Sequence, residues 1–169
     1  MAFGLTPAGT ITKQATGITS TRRIGVLGAA NISKGNVVFV DTTGRATVAS
    51  SADEGNFYVA LEPANNTTGT HFDISVPLAA GGHYVTVVAN GAIKPGNRVK
   101  IGTAAGTVAA VVSSEAEYKV VGTYWGKEGG KVIKSSTSAD SYAETFTDRA
   151  DFIPTDAAAA DVIEIELRK

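Results

Sequence analysis

The sequence has no cysteine among its 169 residues. Disulfides, thiol catalysis and Cys-based zinc or iron–sulfur sites are therefore excluded. It has one tryptophan, one methionine and two histidines. Charge of one sign is missing too: 15 basic and 16 acidic side chains leave a net charge of −1. That balance argues against a basic nucleic-acid reader and against a binder of anionic membranes. No long hydrophobic run exists. The longest apolar stretch, Val108-Ala109-Ala110-Val111-Val112, is far too short to span a bilayer. The opening Met1-Ala2-Phe3-Gly4-Leu5-Thr6-Pro7 has no basic region followed by an apolar core, so it does not read as a signal peptide. The expectation is a soluble protein made in a cytoplasm.

What is present is glycine, 19 residues of it, in a chain 43% hydrophobic and only 18% charged. Ala, Val and Thr dominate the rest, a mixture that fits short strands and many turns. The length suits one domain burying about two-thirds of its unfolded surface.

Residues 1–22 are rich in Thr, Gly and Ala and read as an extended N-terminal arm, ahead of a single β domain over 23–169. Val37-Val38-Phe39-Val40 is β-branched and aromatic, Asp41-Thr42-Thr43-Gly44 is a hairpin turn, and Arg45-Ala46-Thr47-Val48-Ala49 alternates as a return strand. Phe57-Tyr58-Val59-Ala60-Leu61 is another strand. The same order then recurs. Ile32, Gly35, Asn36, Val38, Val40 and Phe57 stand 61 residues before Ile93, Gly96, Asn97, Val99, Ile101 and Tyr118, and Gly44 matches Gly106 if the second turn is one residue longer. Two units are too few for a solenoid, so the repeat predicts two halves of one small barrel or sandwich. Phe72–Val76, His83–Ala89, Tyr118–Gly122 and the alternating Asp161–Leu167 complete the strands. One short helix is expected near residues 138–150, within an inserted segment at about 126–160.

Chemistry is sparse. His71 and His83 lack further ligands and read as surface histidines. Asp140, Glu144, Asp148 and Asp151 would share a face of the expected helix, without the alternate-residue spacing of a calcium loop. Gly126-Lys127-Glu128-Gly129-Gly130-Lys131 is followed by Val132 where a phosphate loop needs Ser or Thr. Tyr118, Tyr124 and Trp125 could stack on a base or a sugar, but basic residues do not cluster around them, and packing is the better reading. No catalytic, cofactor or metal residue is assigned, and no enzyme is expected.

The order of motifs does resemble one family. Ile32-Ser33-Lys34-Gly35-Asn36-Val37-Val38-Phe39-Val40, then Tyr58-Val59-Ala60-Leu61-Glu62, then Val85-Thr86-Val87-Val88-Ala89-Asn90-Gly91 leading to Ile93-Lys94-Pro95-Gly96-Asn97-Arg98-Val99, then Lys119-Val120-Val121-Gly122 and Val162-Ile163-Glu164-Ile165-Glu166-Leu167 look like the capsid cement, or head decoration, proteins of tailed bacteriophages. The likeness covers roughly residues 24–125 and the last eight, and the segment from about Gly126 to Ala160 departs from it. It implies an all-β, β-tulip-like small barrel or sandwich that trimerises on the outer capsid surface of a virion. Its partner would be the major capsid protein, and its work would be to hold the shell against internal pressure. Terminal arms reach over neighbouring shell proteins in such assemblies, which makes Phe3, Leu5, Ile11 and Ile18 the candidate capsid-binding anchors, with an edge or swapped strand in its own oligomer as the other use for them. The alternatives are a tail or connector component, or a carbohydrate-binding module using Tyr84, Tyr124 and Trp125.

Overall fold

A computed structural model describes residues 7–13, 22–69, 74–126 and 156–168. The all-β expectation holds. Among the described residues thirteen strands run β1 (Ile11–Lys13), β2 (Arg22–Gly25), β3 (Asn31–Ile32), β4 (Val37–Val40), β5 (Ala46–Val48), β6 (Phe57–Ala60), β7 (Ala64–Asn65), β8 (Ser75–Ala79), β9 (Tyr84–Val88), β10 (Arg98–Ile101), β11 (Val108–Ala110), β12 (Val120–Tyr124) and β13 (Val162–Leu167). They form antiparallel sheets ordered β2-β8-β6-β4-β5 and β1-β9-β13-β12-β10-β11, plus the small pair β3-β7. The helix expected near 138–150 and the four acidic residues placed on it lie outside the described residues.

The sequence repeat is a structural one. Strand β4 lies between β5 and β6 as β10 lies between β11 and β12. Val38 pairs Val48 and Val40 pairs Ala46; their counterparts Val99 and Ile101 pair Ala110 and Val108. The equivalence extends beyond what the sequence suggested. Ile24 opposite Val76 corresponds to Val87 opposite Ile163, and Ala60 opposite Leu78 corresponds to Tyr124 opposite Ile165. Each sheet curls until its edges meet in one parallel bridge, Val26 with Ala46 and Ala89 with Val108. A single bridge is not a ladder, so neither sheet closes into a barrel, and the arrangement is sandwich-like. Each repeat thus makes its own curled sheet, one half of the sandwich, the second of the two forms that the repeat predicts.

Identical turns start the two central strands. The Asn36 N–H donates to the Ser33 carbonyl (3.1 Å) while the Ser33 N–H donates to Asn36 Oδ1 (2.8 Å). Asn97 and Lys94 repeat both bonds at 3.0 Å. The third turn position must be left-handed and is glycine in each, Gly35 at φ +85° and Gly96 at φ +83°.

The interiors match as well. Val26, Ile32, Val38, Ala46, Val76 and Leu78 form the first unit's core, and their counterparts Ala89, Ile93, Val99, Val108, Ile163 and Ile165 lie in the second. The two units differ on the outer face of the sheet. In the first unit Val37, Val59 and Ala79 are buried within the second unit's cluster. Burial on both faces explains why β4 and β6 are apolar runs instead of alternating strands. The second unit has Arg98, Thr123 and Glu166 at those positions.

Three sequence expectations are corrected. Residues Glu117–Lys119 form a turn of 3₁₀ helix, so the strand predicted from Tyr118 starts at Val120, and the partner of Phe57 in the repeat is Val121. The longer loop between β11 and β12 absorbs the difference. His83 is not on the surface: it is 1% exposed, with Nδ1 2.9 Å from the Ala80 carbonyl, anchoring the β8–β9 connection. His71 lies outside the described residues. Finally, the extended arm read over residues 1–22 is not wholly separate from the domain: residues 7–13 pack on it, with β1 paired to β9.

Candidate interaction surface

The folded part of the arm is held mostly by backbone. The Gly9 N–H donates to the Thr86 carbonyl (2.6 Å), and the Thr86 N–H donates to the Thr10 carbonyl (3.0 Å). Thr86 is 4% exposed, and its hydroxyl accepts from the Thr10 N–H (2.9 Å) and donates to the Pro7 carbonyl (2.7 Å). Beyond this clasp Ile11 packs, half-buried, against the main core, and Thr12 Oγ1 donates to the Tyr84 carbonyl (3.3 Å). The approach is close. A Cβ on Gly9 would stand 2.6 Å from both the Ala60 carbonyl oxygen and the Gly35 nitrogen. The arm therefore lies on the second unit and presses against the turn of the first.

Strand β2 is the first unit's equivalent of β9. Arg23 faces Pro77 as Thr86 faces Glu164. The Pro77 carbonyl accepts from the Leu61 N–H (3.0 Å), on the β6 side, and the Val26 N–H donates to the Ile74 carbonyl (2.8 Å). Antiparallel pairing alternates, so residues 22, 24 and 26 bond toward β8 while Arg23 directs its N–H and C=O to the open side. These groups and the Gly25 N–H have no partner among the described residues. In the second unit the arm fills the two groups that match those of Arg23, the N–H and C=O of Thr86. Arg23 is exposed, with its guanidinium 3.3 Å from the Glu62 carboxylate.

The second feature is the polar outer face of β9, β12 and β13. Glu166 Oε2 accepts from the Trp125 indole N–H (2.9 Å) and the Tyr84 hydroxyl (3.2 Å). Burial, together with the Glu166 charge, pushes the Tyr84 phenol above its ordinary range. Beside them a groove of about 320 Å³ is lined by Arg98, Glu117, Thr123, Glu166 and Arg168. Arg98 pairs with Glu117, and Lys100 pairs with Glu115 at 2.5 Å, which holds the Glu115 carboxyl below its ordinary range. Trp125 is 55% exposed, and Val112 and Tyr118 are exposed too. Tyr124 is fully buried because it points inward on β12, so it leaves the trio of aromatics considered for sugar binding.

No match exists. The chain matches no protein-family model, no curated protein and no solved structure. Of the anchors read from sequence, Ile11 belongs to β1 on the chain's own sheet, while Phe3, Leu5 and Ile18 lie outside the described residues. Among the described residues no group of three His, Asp or Glu side chains is placed to hold a metal ion. No helix among them is long and apolar enough to cross a membrane. Sequence reasoning missed Thr86 and Arg23. The only signal for them is their shared position in the repeat, which emerges once β2 is aligned with β9.

Proposed function

We propose that the chain is a structural virion protein, a decoration or cement protein that binds the major capsid protein on the outside of a tailed-phage head as a homotrimer. It acts by binding, without turnover. The observation that carries this reading is the arm clasp at Thr86, where the Gly9-Thr10 turn and β1 add to a sheet edge by main-chain bonds, in a fold whose equivalent edge has no partner among the described residues. Strand addition suits a cement: backbone bonds give affinity with modest demands on partner sequence. Threefold symmetry then multiplies weak single contacts through effective concentration.

The test is sedimentation and head binding. The purified chain should sediment as a trimer and saturate expanded heads at a stoichiometry near the number of local threefold positions. A monomer indifferent to heads of every kind tested overturns the reading. The carbohydrate-binding alternative retains one specific observation, Tyr84 and Trp125 gathered on Glu166 beside a groove. It requires that glycans change Trp125 fluorescence while shells do not compete.

A further inference from the structure

We infer that the open edge of β2 is an acceptor for residues 1–6 of a second copy of this chain, which add there by main-chain bonds as the Gly9-Thr10 turn and β1 add to β9. This deepens the strand-addition part of the reading above by naming one partner; it does not depend on any shell.

The repeat supplies the argument. Arg23 and Thr86 occupy one position in two equivalent sheets, each in the non-bonded register opposite Pro77 or Glu164. In one sheet the outward N–H and C=O are both satisfied by Gly9 and Thr10, where a turn with Gly9 at φ +74° leads into β1. In the other the same two groups, with the Gly25 N–H, point at nothing among the described residues. An unpaired edge is a template for a further strand.

Three features choose the occupant. Residues 7–13 are already engaged on β9, so a donor must come from elsewhere. Six residues precede Pro7, enough to extend about 20 Å, and Phe3-Gly4-Leu5-Thr6 places a glycine before larger residues as Ala8-Gly9-Thr10-Ile11 does. Charge opposes the main competitor. Two β2 edges pairing with each other would set exposed Arg23 side chains on one surface, and facing like charges are destabilising. The side chains of residues 1–6 are uncharged. A head-to-tail exchange of this kind closes a ring if the rotation permits, as a trimer requires.

Complementation tests it. Deleting residues 1–6 removes the donor, and Arg23→Pro removes the outward N–H of the acceptor while leaving the ladder to β8. The intact chain should sediment as a closed oligomer and each variant as a monomer. An equimolar mixture should form a 1:1 dimer, because one variant keeps the arm and the other keeps the edge. Amide exchange in the intact chain guards against an Arg23→Pro variant that fails to fold. The Arg23 and Gly25 amides should exchange at least about tenfold faster after deletion of residues 1–6, with Ile24 unchanged. Protection that survives the deletion means that residues 14–20 of the same chain, or another segment, cover the edge, and overturns the inference. So does an intact chain that is monomeric, or a mixture that does not pair. Head binding is measured separately, so a cement without this exchange and an exchange without cement activity give different results.

Discussion

Gly35 and Gly96 hold the same left-handed turn, yet their surroundings differ. A Cβ on Gly96 meets nothing within 4 Å, whereas one on Gly35 would collide with the Ala8 side chain and stand 2.9 Å from the Gly9 nitrogen. Gly96→Ala should therefore cost only the backbone penalty, about 1–2 kcal/mol. Gly35→Ala should cost more and should also loosen the arm. Denaturant midpoints give the first difference, and exchange of the Thr86 amide gives the second. Equal losses, with Thr86 protection unchanged, would show that the arm does not press on this turn. The glycine pair was visible in the sequence. The contact that separates its members was not, because Ala8 and Gly9 reach Gly35 from the far edge of another sheet.

Strand β12 shows how far an element can be read from pattern. Val120 and Val121 predict a strand, and the repeat predicts its place beside β10, but Tyr118 draws the expected start too early. With the start at Val120, Tyr124 falls on the inner face, fully buried. Burial, reinforced by the charges of Asp161 and Asp156, pushes its phenol up to about 12. The sign follows directly. A folded-state pKa above the ordinary 10.0 favours the protonated ring, so this contribution to stability is complete below pH 10 and is lost as pH rises through about 12. Absorbance at 295 nm should show a late ionisation near that pH, coupled to unfolding and missing from Tyr124→Phe. A late step that persists in the variant would assign it to another tyrosine. Strand β8 was legible only in part: its core residues Val76 and Leu78 flank Pro77, and a proline argues against a strand unless its missing N–H faces no partner. Pairing opposite Arg23 meets that condition on the β2 side, and on the β6 side Pro77 faces Leu61, just beyond the end of that strand, and bonds it through its carbonyl alone.

At the scale of the molecule, the repeat stacks once and stops. Val37, Val59 and Ala79 cover the second unit, where Arg98, Thr123 and Glu166 stand at the matching positions. Repeat arrays need such a polar outer face on their last unit to stay soluble. Arg98→Val, Thr123→Val and Glu166→Ala together should restore the first unit's apolar face on the second. Each buried valine favours association by about 1.5–3 kcal/mol. The triple variant should then form oligomers beyond those of the intact chain, seen by sedimentation at micromolar concentration. A variant that sediments as the intact chain does would show that the polar face is not what limits stacking. The inserted segment of about 126–160 follows β12 in the unit that carries this face, whereas residues 61–74 alone make the corresponding connection in the first unit.

The sequence by itself determined that the chain is all-β, where its glycine turns fall, and that its central elements occur twice. Turn geometry and two-residue alternation are local properties, set by residue type over a few positions. Only the tertiary structure decided that each repeat curls on its own, that His83 and Tyr124 are interior, and that the outward backbone groups of Thr86 are filled while those of Arg23 have no partner among the described residues. Those outcomes depend on which strand lies beside which. Pairing is fixed by contacts between segments far apart in the chain, and no short window of sequence contains both partners.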